Sequence, residues 1–186
     1  MRTLTTARLA LRPWAPAFED DLFRLSSDER VMRFIGDGQT WSRERAAERH
    51  RECLRHWREH DFGWRAMIDG DDFVGLAALN RLGDAVPGIE ESAVEIGWWV
   101  DPRSWGQGFA TEAARALRDE AFTDLAAERL VARYQPANAA SGRVMVKLGM
   151  NVWGDTAGRG TGPVRVYTLD RTDWESLGGH SRTPEA

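Results

Sequence analysis

A strand, a glycine turn and a helix follow one another in residues 94–115, which read VEIGWWVDPRSWGQGFATEAAR. The first part is rich in Val, Ile and Trp, as is typical of a buried strand. Gly106 and Gly108 indicate a turn, and residues 110–121 consist mostly of strong helix formers. The start of such a helix presents unpaired backbone N–H groups and the positive end of the helix dipole. This stretch is therefore predicted to bind an anion, and a phosphate suits such a site best.

Two kinds of nucleotide site use this arrangement. The Rossmann fingerprint, G-x-G-x-x-G/A, would place Thr111 at its third small position, and it requires a βαβ unit with an acidic residue about twenty positions on. Asp124 and Glu128 lie loosely in that range, but no earlier βαβ pattern supports them. The other kind is an acyl-CoA loop, R/Q-x-x-G-x-G/A, which Arg103 and the two glycines match directly after a strand. Two glycines alone do not separate these sites, so the rest of the chain has to decide.

The composition is that of a globular protein with one domain. The chain has 186 residues, of which 42% are hydrophobic and 29% are charged. Its net charge of −4 argues against nucleic acid as a ligand, because nucleic-acid-binding domains are usually basic. Cys53 is the only cysteine, which excludes an internal disulfide and suits a reducing compartment. With no signal peptide or membrane-spanning stretch in view, we expect a soluble cytoplasmic protein that binds no membrane.

Residues 1–177 are predicted to form this single domain, and the polar residues 178–186 a mobile tail. Hydrophobic periodicity predicts strands at residues 7–12, 63–68, 73–79, 94–100, 129–134, 150–155 and 164–169. It predicts helices at residues 16–25, 43–60, 110–121 and 138–148. A turn is expected at residues 28–35, a hairpin at Asp69-Gly70 and a loop at residues 80–92. The last hairpin is predicted to turn through Gly158, Gly160 and Gly162.

Four stretches, taken together and in their order, resemble the GNAT N-acetyltransferase family and in particular its RimJ/RimL-like branch. They read TARLALRP, SDERVMRFIG, EIGWWVDPRSWGQGFATEA and PANAASGRVMVKLGM, at residues 6–13, 27–36, 95–113 and 136–150. LDRTDW at residues 169–174 is a fainter match. The third and fourth stretches are specific in combination, and they favour the acyl-CoA loop over the Rossmann site.

The resemblance implies an α/β (α+β) GNAT fold, whose mixed, mostly antiparallel sheet is flanked by helices and splayed between its fourth and fifth strands. Here those strands are residues 94–100 and 129–134. Acetyl-CoA, a co-substrate that needs no metal, is implied to lie in this V, with its pantetheine arm along the first strand and its pyrophosphate on the glycine turn. The cofactor-binding residues that the resemblance implies are Trp98, Val100, Arg103, Gly106, Gln107, Gly108, Ala110, Thr111, Asn138, Ser141 and Arg143.

Acetyl transfer to an amine requires that the amine lose a proton and that the leaving thiolate be stabilised or protonated. The resemblance implies Glu95 as the base, since many relatives have a carboxylate at that strand position. Many relatives also place a tyrosine near the sulfur, but Met145 occupies that position here and cannot donate a proton. Ser141 is implied to hydrogen-bond the sulfur instead, and Tyr167 is a further candidate. The acceptor pocket is implied to include Phe34, Trp41, Trp64 and Tyr167.

Several alternatives stay open. Glu95 would serve only structure if it were tied to a neighbouring strand or loop, and Ser141 would do so if it capped or packed the start of its helix. The expected activity is direct transfer to a primary amine in a ternary complex, because Cys53 lies away from the predicted cleft. The acceptor is either a protein N-terminal α-amine or a small amine. The alternative function is an acyl-CoA-binding regulatory module with weak or no catalysis, which Met145 supports.

Two further features bear on partners. His56 and His60 lie in an H-x-x-E-H sequence, which resembles an inverted zinc-protease motif. No third ligand stands out, so a solvated helix end is expected there rather than a metal site. The many tryptophans would permit a homodimer if some of them are exposed.

Overall fold

The computed structural model describes residues 2–83, 85–157 and 162–179. Within them a single sheet has the spatial order β1-β2-β3-β4-β5-β6-β8-β7. The strands are β1 Leu4–Thr5, β2 Leu9–Pro13, β3 Trp64–Asp69, β4 Asp72–Arg81, β5 Val94–Val100, β6 Arg129–Tyr134, β7 Asn151–Ala157 and β8 Pro163–Asp170. The helices are α1 Glu19–Ser26, α2 Glu29–Met32, α3 Arg43–His60, α4 Phe109–Thr123, α5 Ala139–Lys147 and α6 Arg171–Ser176. None of the helices in these ranges is long and apolar enough to cross a membrane.

The predicted elements are found in the predicted order, and three of them have the predicted bounds. These are α3, β5 and β6. The Ser42 hydroxyl accepts a hydrogen bond from the Arg45 N–H, so α3 begins where its cap requires. Residues 28–35 are not only a turn, because Asp28 caps the short helix α2. Strand β4 continues through Arg81 into the predicted loop, and β1 and α6 were not predicted.

Two predicted segments fall partly outside the described residues. They are the turn containing Gly158 and Gly160 and most of the predicted tail, residues 180–186.

The sheet is mixed and mostly antiparallel, as predicted, and it is divided by a fork between β5 and β6. Strand β5 pairs with β4 along its whole length, from Val94↔Arg81 to Val100↔Gly75. The parallel pairing of β5 with β6 comprises only Val94↔Leu130 and Glu95↔Val131. Beyond that point the two strands separate. Residues 96–100 consequently have a paired edge toward β4 and an open edge toward β6.

Alternation along β5 sends neighbouring side chains to two different cores. Val94 and Ile96 are buried against α4 and α5, and Trp98 packs on the same cluster. Trp99 points to the opposite face, where it packs on the cluster that includes α1 and α3. The adjacent tryptophans Trp98 and Trp99 therefore face opposite sides of the sheet. Helices on both faces therefore hold β5 in place while its edge toward β6 stays open.

A buried ion pair joins the sheet to α4. The Arg65 side chain on β3 is 3% exposed and the Glu120 side chain on α4 is 8% exposed. Both guanidinium nitrogens Nε and Nη2 donate to the Glu120 carboxylate, and Nη1 donates to the Arg2 carbonyl. Each charge is compensated by the other, which a buried charge requires. This pair fixes the helix that begins at the glycine turn.

We predict that Arg65→Met, which keeps the length of the side chain but leaves Glu120 buried without its partner, lowers the free energy of unfolding by about 3–5 kcal/mol. Urea denaturation measures this change. The control is Arg43→Met, which breaks the exposed Arg43–Asp20 pair and is expected to cost less than about 1 kcal/mol. Equal losses in the two variants would contradict the role given to the buried pair.

Candidate active site

The fork between β5 and β6 widens into a cleft of about 1380 Å³. At one end its walls are the glycine turn, the start of α4 and the face of α5. At the other end they are α2, α3 and the loop between these helices. One cavity thus passes through the sheet plane and touches both faces. Two molecules that enter from opposite faces would meet at the fork.

The glycine turn has the backbone geometry that the predicted anion site requires. Gly106 and Gly108 have φ angles of 77° and 85°, a region that favours glycine. The first hydrogen bond within α4 runs from the Glu112 N–H to the Gly108 carbonyl, at 3.0 Å. The N–H groups of residues 109–111 precede that bond and have no partner within the helix. A Cβ at Gly106 would meet no atom within 4 Å, so the space above the turn is open to a ligand.

Two acidic side chains hold this turn in place. Glu112, in the first turn of α4, accepts hydrogen bonds from Thr6 Oγ1 at 2.6 Å and from the Arg8 N–H at 2.8 Å. Although partial burial opposes it, these bonds lower the pKa of Glu112. Asp101 at the end of β5 accepts from the Arg103 and Arg24 guanidinium groups. The bond from Arg103 in particular holds the pKa of Asp101 well below its usual range.

Most of the predicted cofactor-binding residues line the cleft. They are Trp98, Val100, Gly106, Gly108, Ala110, Thr111, Asn138, Ser141 and Arg143. Arg103 and Gln107 are outside its lining. The Arg103 guanidinium turns back onto Asp101 at 2.8 Å, and the Gln107 amide donates to the Arg103 carbonyl at 3.3 Å. Arg143 is exposed on α5, and within the described part of the chain its guanidinium has no ion pair. Arg143 is therefore better placed than Arg103 to meet an anion in the cleft.

Glu95 lies at the fork itself. It belongs to the last residue pair between β5 and β6, and its carboxylate lines the cleft. Arg133, further along β6, donates to both of its oxygens, from Nε at 2.8 Å and from Nη2 at 2.7 Å. The bidentate pair spans the two strands just where they separate. Glu95 is thus tied to the neighbouring strand and also faces the cleft, and its role as a base stays a prediction.

The opening of α5 places two predicted polar residues at the cleft. Asn138 is the N-cap, and its side-chain oxygen accepts from the Ser141 N–H at 3.2 Å. The cap is therefore the asparagine and not Ser141, which corrects the capping half of that alternative, while the packing of Ser141 at the helix start stays a prediction. The Ser141 hydroxyl has no hydrogen bond within the described ranges, and the residue lines the cleft. Met145 is 1% exposed and belongs to the core beneath.

A tyrosine that the sequence did not single out also lines this end of the cleft. Tyr134 is the last residue of β6, and its ring lies 5.9 Å from that of Tyr167 at an interplanar angle of 61°. Tyr167 itself is only 9% exposed and is not part of the cleft lining. The assignment of Tyr167 to the acceptor pocket is thus corrected, because this ring packs behind Tyr134. A signal was available in the sequence, since these are its only two tyrosines.

The far end of the cleft is aromatic. Phe34, Trp41 and Trp64 line it as predicted, together with Trp99. The Trp99 ring lies 5.3 Å from Trp41 and 5.5 Å from Trp64, both in edge-on contact. Charged side chains of α3, including Glu48, Arg49 and Glu52, complete this wall. An acceptor entering here would meet flat apolar surfaces with mixed charges around them.

The end of α3 that carries the H-x-x-E-H sequence is solvated at Arg58, Glu59 and His60, as predicted, whereas His56 is half-buried. His56 Nδ1 lies 2.8 Å from the Phe62 carbonyl oxygen, and because a carbonyl only accepts, Nδ1 carries the hydrogen. His56 Nε2 is buried and has no hydrogen-bond partner within the described residues. Burial lowers the pKa of His56. Residues 2–83, 85–157 and 162–179 contain no group of three or more His, Cys, Asp or Glu side chains that could hold a metal ion.

Comparison with known proteins gives consistent matches. The family model of the acetyltransferase (GNAT) domain matches residues 8–151. The FsC-acetyl coenzyme A-N(2)-transacetylase of Aspergillus fumigatus is 30% identical over 185 residues, covering 92% of this chain and 77% of that protein. The crystal structure of an acetyltransferase from Agrobacterium tumefaciens has a TM-score of 0.75 and 28% identity, covering 91% of this chain and 94% of that one.

A third match is RimL, a ribosomal-protein α-N-acetyltransferase whose structure contains coenzyme A. It has a TM-score of 0.74 and 18% identity, covering 90% of this chain and 97% of RimL, and at that identity the likeness concerns the fold. The forked sheet, the open glycine turn before α4 and the matched family model all agree. The chain belongs to the GNAT family of acetyl-CoA-dependent acetyltransferases.

Proposed function

We propose that this protein moves the acetyl group of acetyl-CoA directly to a primary amine, within a complex of enzyme and both substrates. The observation that supports this most is that a single cleft joins an anion site on one face of the sheet to an aromatic pocket on the other. A carboxylate, Glu95, lies at the junction. Such a cleft suits a thioester that enters from the glycine turn and an amine that enters from α2 and α3.

The cofactor half of the cleft supplies contacts along the whole length of acetyl-CoA. The open edge of residues 98–100 offers backbone groups to the amides of the pantetheine arm, as a sheet edge does to an added strand, apart from the Val100 carbonyl, which accepts a hydrogen bond from Trp105 Nε1 at 2.8 Å. The N–H groups of residues 109–111 would hold the pyrophosphate. Arg143 adds a positive charge near the phosphates, and Asn138 and Ser141 face the sulfur end.

Glu95 is proposed as the base that removes the proton from the amine. Its carboxylate is held by Arg133, and this bidentate contact fixes its orientation at the fork. A carboxylate oxygen has lone pairs beyond the one that a guanidinium N–H uses, so an ammonium proton or an intervening water still has a place to bind. The backbone N–H groups near Val100 would polarise the thioester carbonyl.

Direct transfer is favoured over an acetylated enzyme because the only thiol is out of reach. Cys53 lies on α3, is 4% exposed and does not line the cleft. Burial raises the pKa of Cys53 to about 12, so the thiolate needed for nucleophilic attack is scarce at neutral pH. The amine itself is therefore the nucleophile that meets the thioester.

The acceptor is proposed to be a protein N-terminal α-amine or a small amine. The relatives include enzymes named for each kind of acceptor: RimL for a ribosomal protein, and the structure of AAC(6')-Ib, which contains ribostamycin. Both structural matches are below 20% identity and support the fold only. The aromatic end of the cleft would accept either kind of group.

The activity is tested by calorimetric titration with acetyl-CoA, followed by thiol release against a panel of N-terminal peptides and small amines. We expect saturable binding and thiol release with at least one acceptor. Binding without release from any acceptor would contradict catalysis and support the acyl-CoA-binding module. Absence of binding would contradict the cofactor site itself.

We predict that Gly108→Val raises the dissociation constant of CoA at least about 10-fold, because a β-branched side chain is strained at this positive φ and disturbs the N–H groups of the turn. Pantetheine, which lacks the pyrophosphate, should bind both proteins equally. The control is Gly154→Ala on β7, where an added Cβ meets no atom within 4 Å. A loss of affinity that is the same for pantetheine as for CoA would contradict the pyrophosphate assignment.

We predict that Glu95→Gln lowers kcat about 100-fold, with a changed pH profile and an unchanged KM for acetyl-CoA, because an amide cannot take the proton. Steady-state kinetics over a range of pH measure this. Asp170→Asn is the matched control, since Asp170 forms the same bidentate contact with Arg129 of β6 outside the cleft. Glu95 is not the base if kcat and its pH profile survive the substitution.

We predict that Cys53 stays unreactive toward a thiol-specific reagent at pH 8 in the folded protein, and that it reacts fully in denaturant. Cys53→Ala should keep its turnover, and radiolabelled acetyl-CoA without an acceptor should leave no label on the protein. An acetylated Cys53 would contradict direct transfer.

A further inference from the structure

None of the roles proposed above supplies a proton to the sulfur of CoA when it departs. When the thioester C–S bond breaks, the sulfur keeps the electron pair and must be protonated or otherwise stabilised. Met145 cannot serve, because its side chain is buried in the core and carries no proton to give. Ser141 can donate a hydrogen bond, but a hydroxyl of ordinary acidity is a poor proton source. The donor has to be sought among the other cleft residues.

Tyr134 lines the cleft beside Asn138 and Ser141, the two residues proposed above to face the sulfur. It is the last residue of β6, past the point at which this strand separates from β5. In the alternation of β6, its ring is on the face of Leu130 and Ala132, which is the face of α5. The ring is only partly buried and lines the cleft with Asn138 and Ser141.

The sequence of α5 leaves space for this phenol. A Cβ on Gly142 would lie 2.9 Å from Tyr134 Oη and 3.0 Å from its Cε2, closer than side chains normally approach. The glycine therefore lets the hydroxyl rest against the helix at the residue that follows Ser141. Any larger residue at 142 would push the ring away, so the position of the hydroxyl depends on this glycine.

Tyr167 packs behind the ring of Tyr134. The two rings are in edge-on contact at 5.9 Å, and Tyr167 is buried. Burial above all, and then the neighbouring Tyr167, raise the pKa of Tyr134. The phenol is therefore protonated at neutral pH, as a proton donor has to be.

We propose that Tyr134 is a catalytic residue that donates the proton to the departing CoA sulfur, and this proposal rests on the acetyl transfer proposed above. The amine nitrogen forms a bond to the thioester carbon, the C–S bond breaks and its electron pair stays on sulfur. The phenolic proton moves to that sulfur and yields the CoA thiol. The proton that the nitrogen loses on forming the amide returns through Glu95 or solvent to the phenolate, so no outside reactant is needed. Ser141 holds the sulfur by a hydrogen bond during this exchange.

The test measures the turnover of Tyr134→Phe with two acetyl donors. One is acetyl-CoA, and the other is its selenoester analogue, whose selenolate leaves without needing a proton. With acetyl-CoA we expect kcat to fall about 100-fold, the size of a general-acid contribution. With the selenoester we expect wild-type and variant rates to differ less than about 3-fold, by the same reasoning. The matched variant is Tyr167→Phe, which removes the hydroxyl of the ring outside the cleft. The ratio of its turnover with acetyl-CoA to its turnover with the selenoester should be that of the wild type. An equal loss of kcat with both acetyl donors in Tyr134→Phe would overturn the proposal. So would a loss of kcat with acetyl-CoA alone that appears in Tyr167→Phe or Ser141→Ala instead of Tyr134→Phe.

A second measurement does not depend on turnover. The ultraviolet absorbance of the thiolate reports the pKa of CoA bound to the protein, and a donor at the sulfur stabilises the thiolate. We expect Tyr134→Phe to raise that pKa relative to the wild type while CoA still binds, and Tyr167→Phe to leave it unchanged. An unchanged value in Tyr134→Phe would overturn the proposal. If the wild-type protein bound CoA but acetylated no amine, the proposed function would fail, whereas this titration would still show whether Tyr134 contacts the sulfur.

Discussion

The separation of β5 from β6 after two residue pairs is the constraint on which the site depends. Backbone groups at an edge must find partners, and β5 already uses its other edge in full against β4. An edge of this kind inside a sheet is normally closed by the next strand. Here it remains open inside a protein, and we propose that it binds an extended ligand with amides of its own.

The two faces of the sheet give the two ends of the cleft different chemistry. On the face of α4 and α5, the glycine turn with its positive φ angles and the helix starts present backbone N–H groups. The buried pair of Arg65 and Glu120 fixes α4 to the sheet. On the α3 face, tryptophans and charged helical residues form the wall. Alternation along single strands sends Glu95 to one face and Tyr134 to the other. The proposed base and the proposed acid thus lie on opposite sides of the fork, which suits a reaction whose substrates arrive from opposite sides.

Much of the fold could be predicted from the sequence because its signals are local. Ser42 starts α3, the apolar run of β5 stops at Asp101-Pro102, and the positive-φ glycines precede α4. The contact of Glu95 with Arg133 depends instead on the register of strands that are distant in the sequence. The setting of Tyr134 depends on which strand faces Gly142, which no periodicity reveals. Arg103 is predicted to bind the cofactor, but its guanidinium pairs instead with a nearby acid, Asp101, within the same turn.

The most direct test of the open edge is hydrogen–deuterium exchange of the backbone amides with and without CoA. We predict that CoA slows exchange in residues 98–100 and 109–111, the edge of β5 and the start of α4, and leaves β7, Asn151–Ala157, unchanged. This pattern would show that the cofactor completes the fork as an added strand and rests on the helix start. Binding of CoA with unchanged exchange in both segments would contradict this account, because the cofactor would then lie elsewhere.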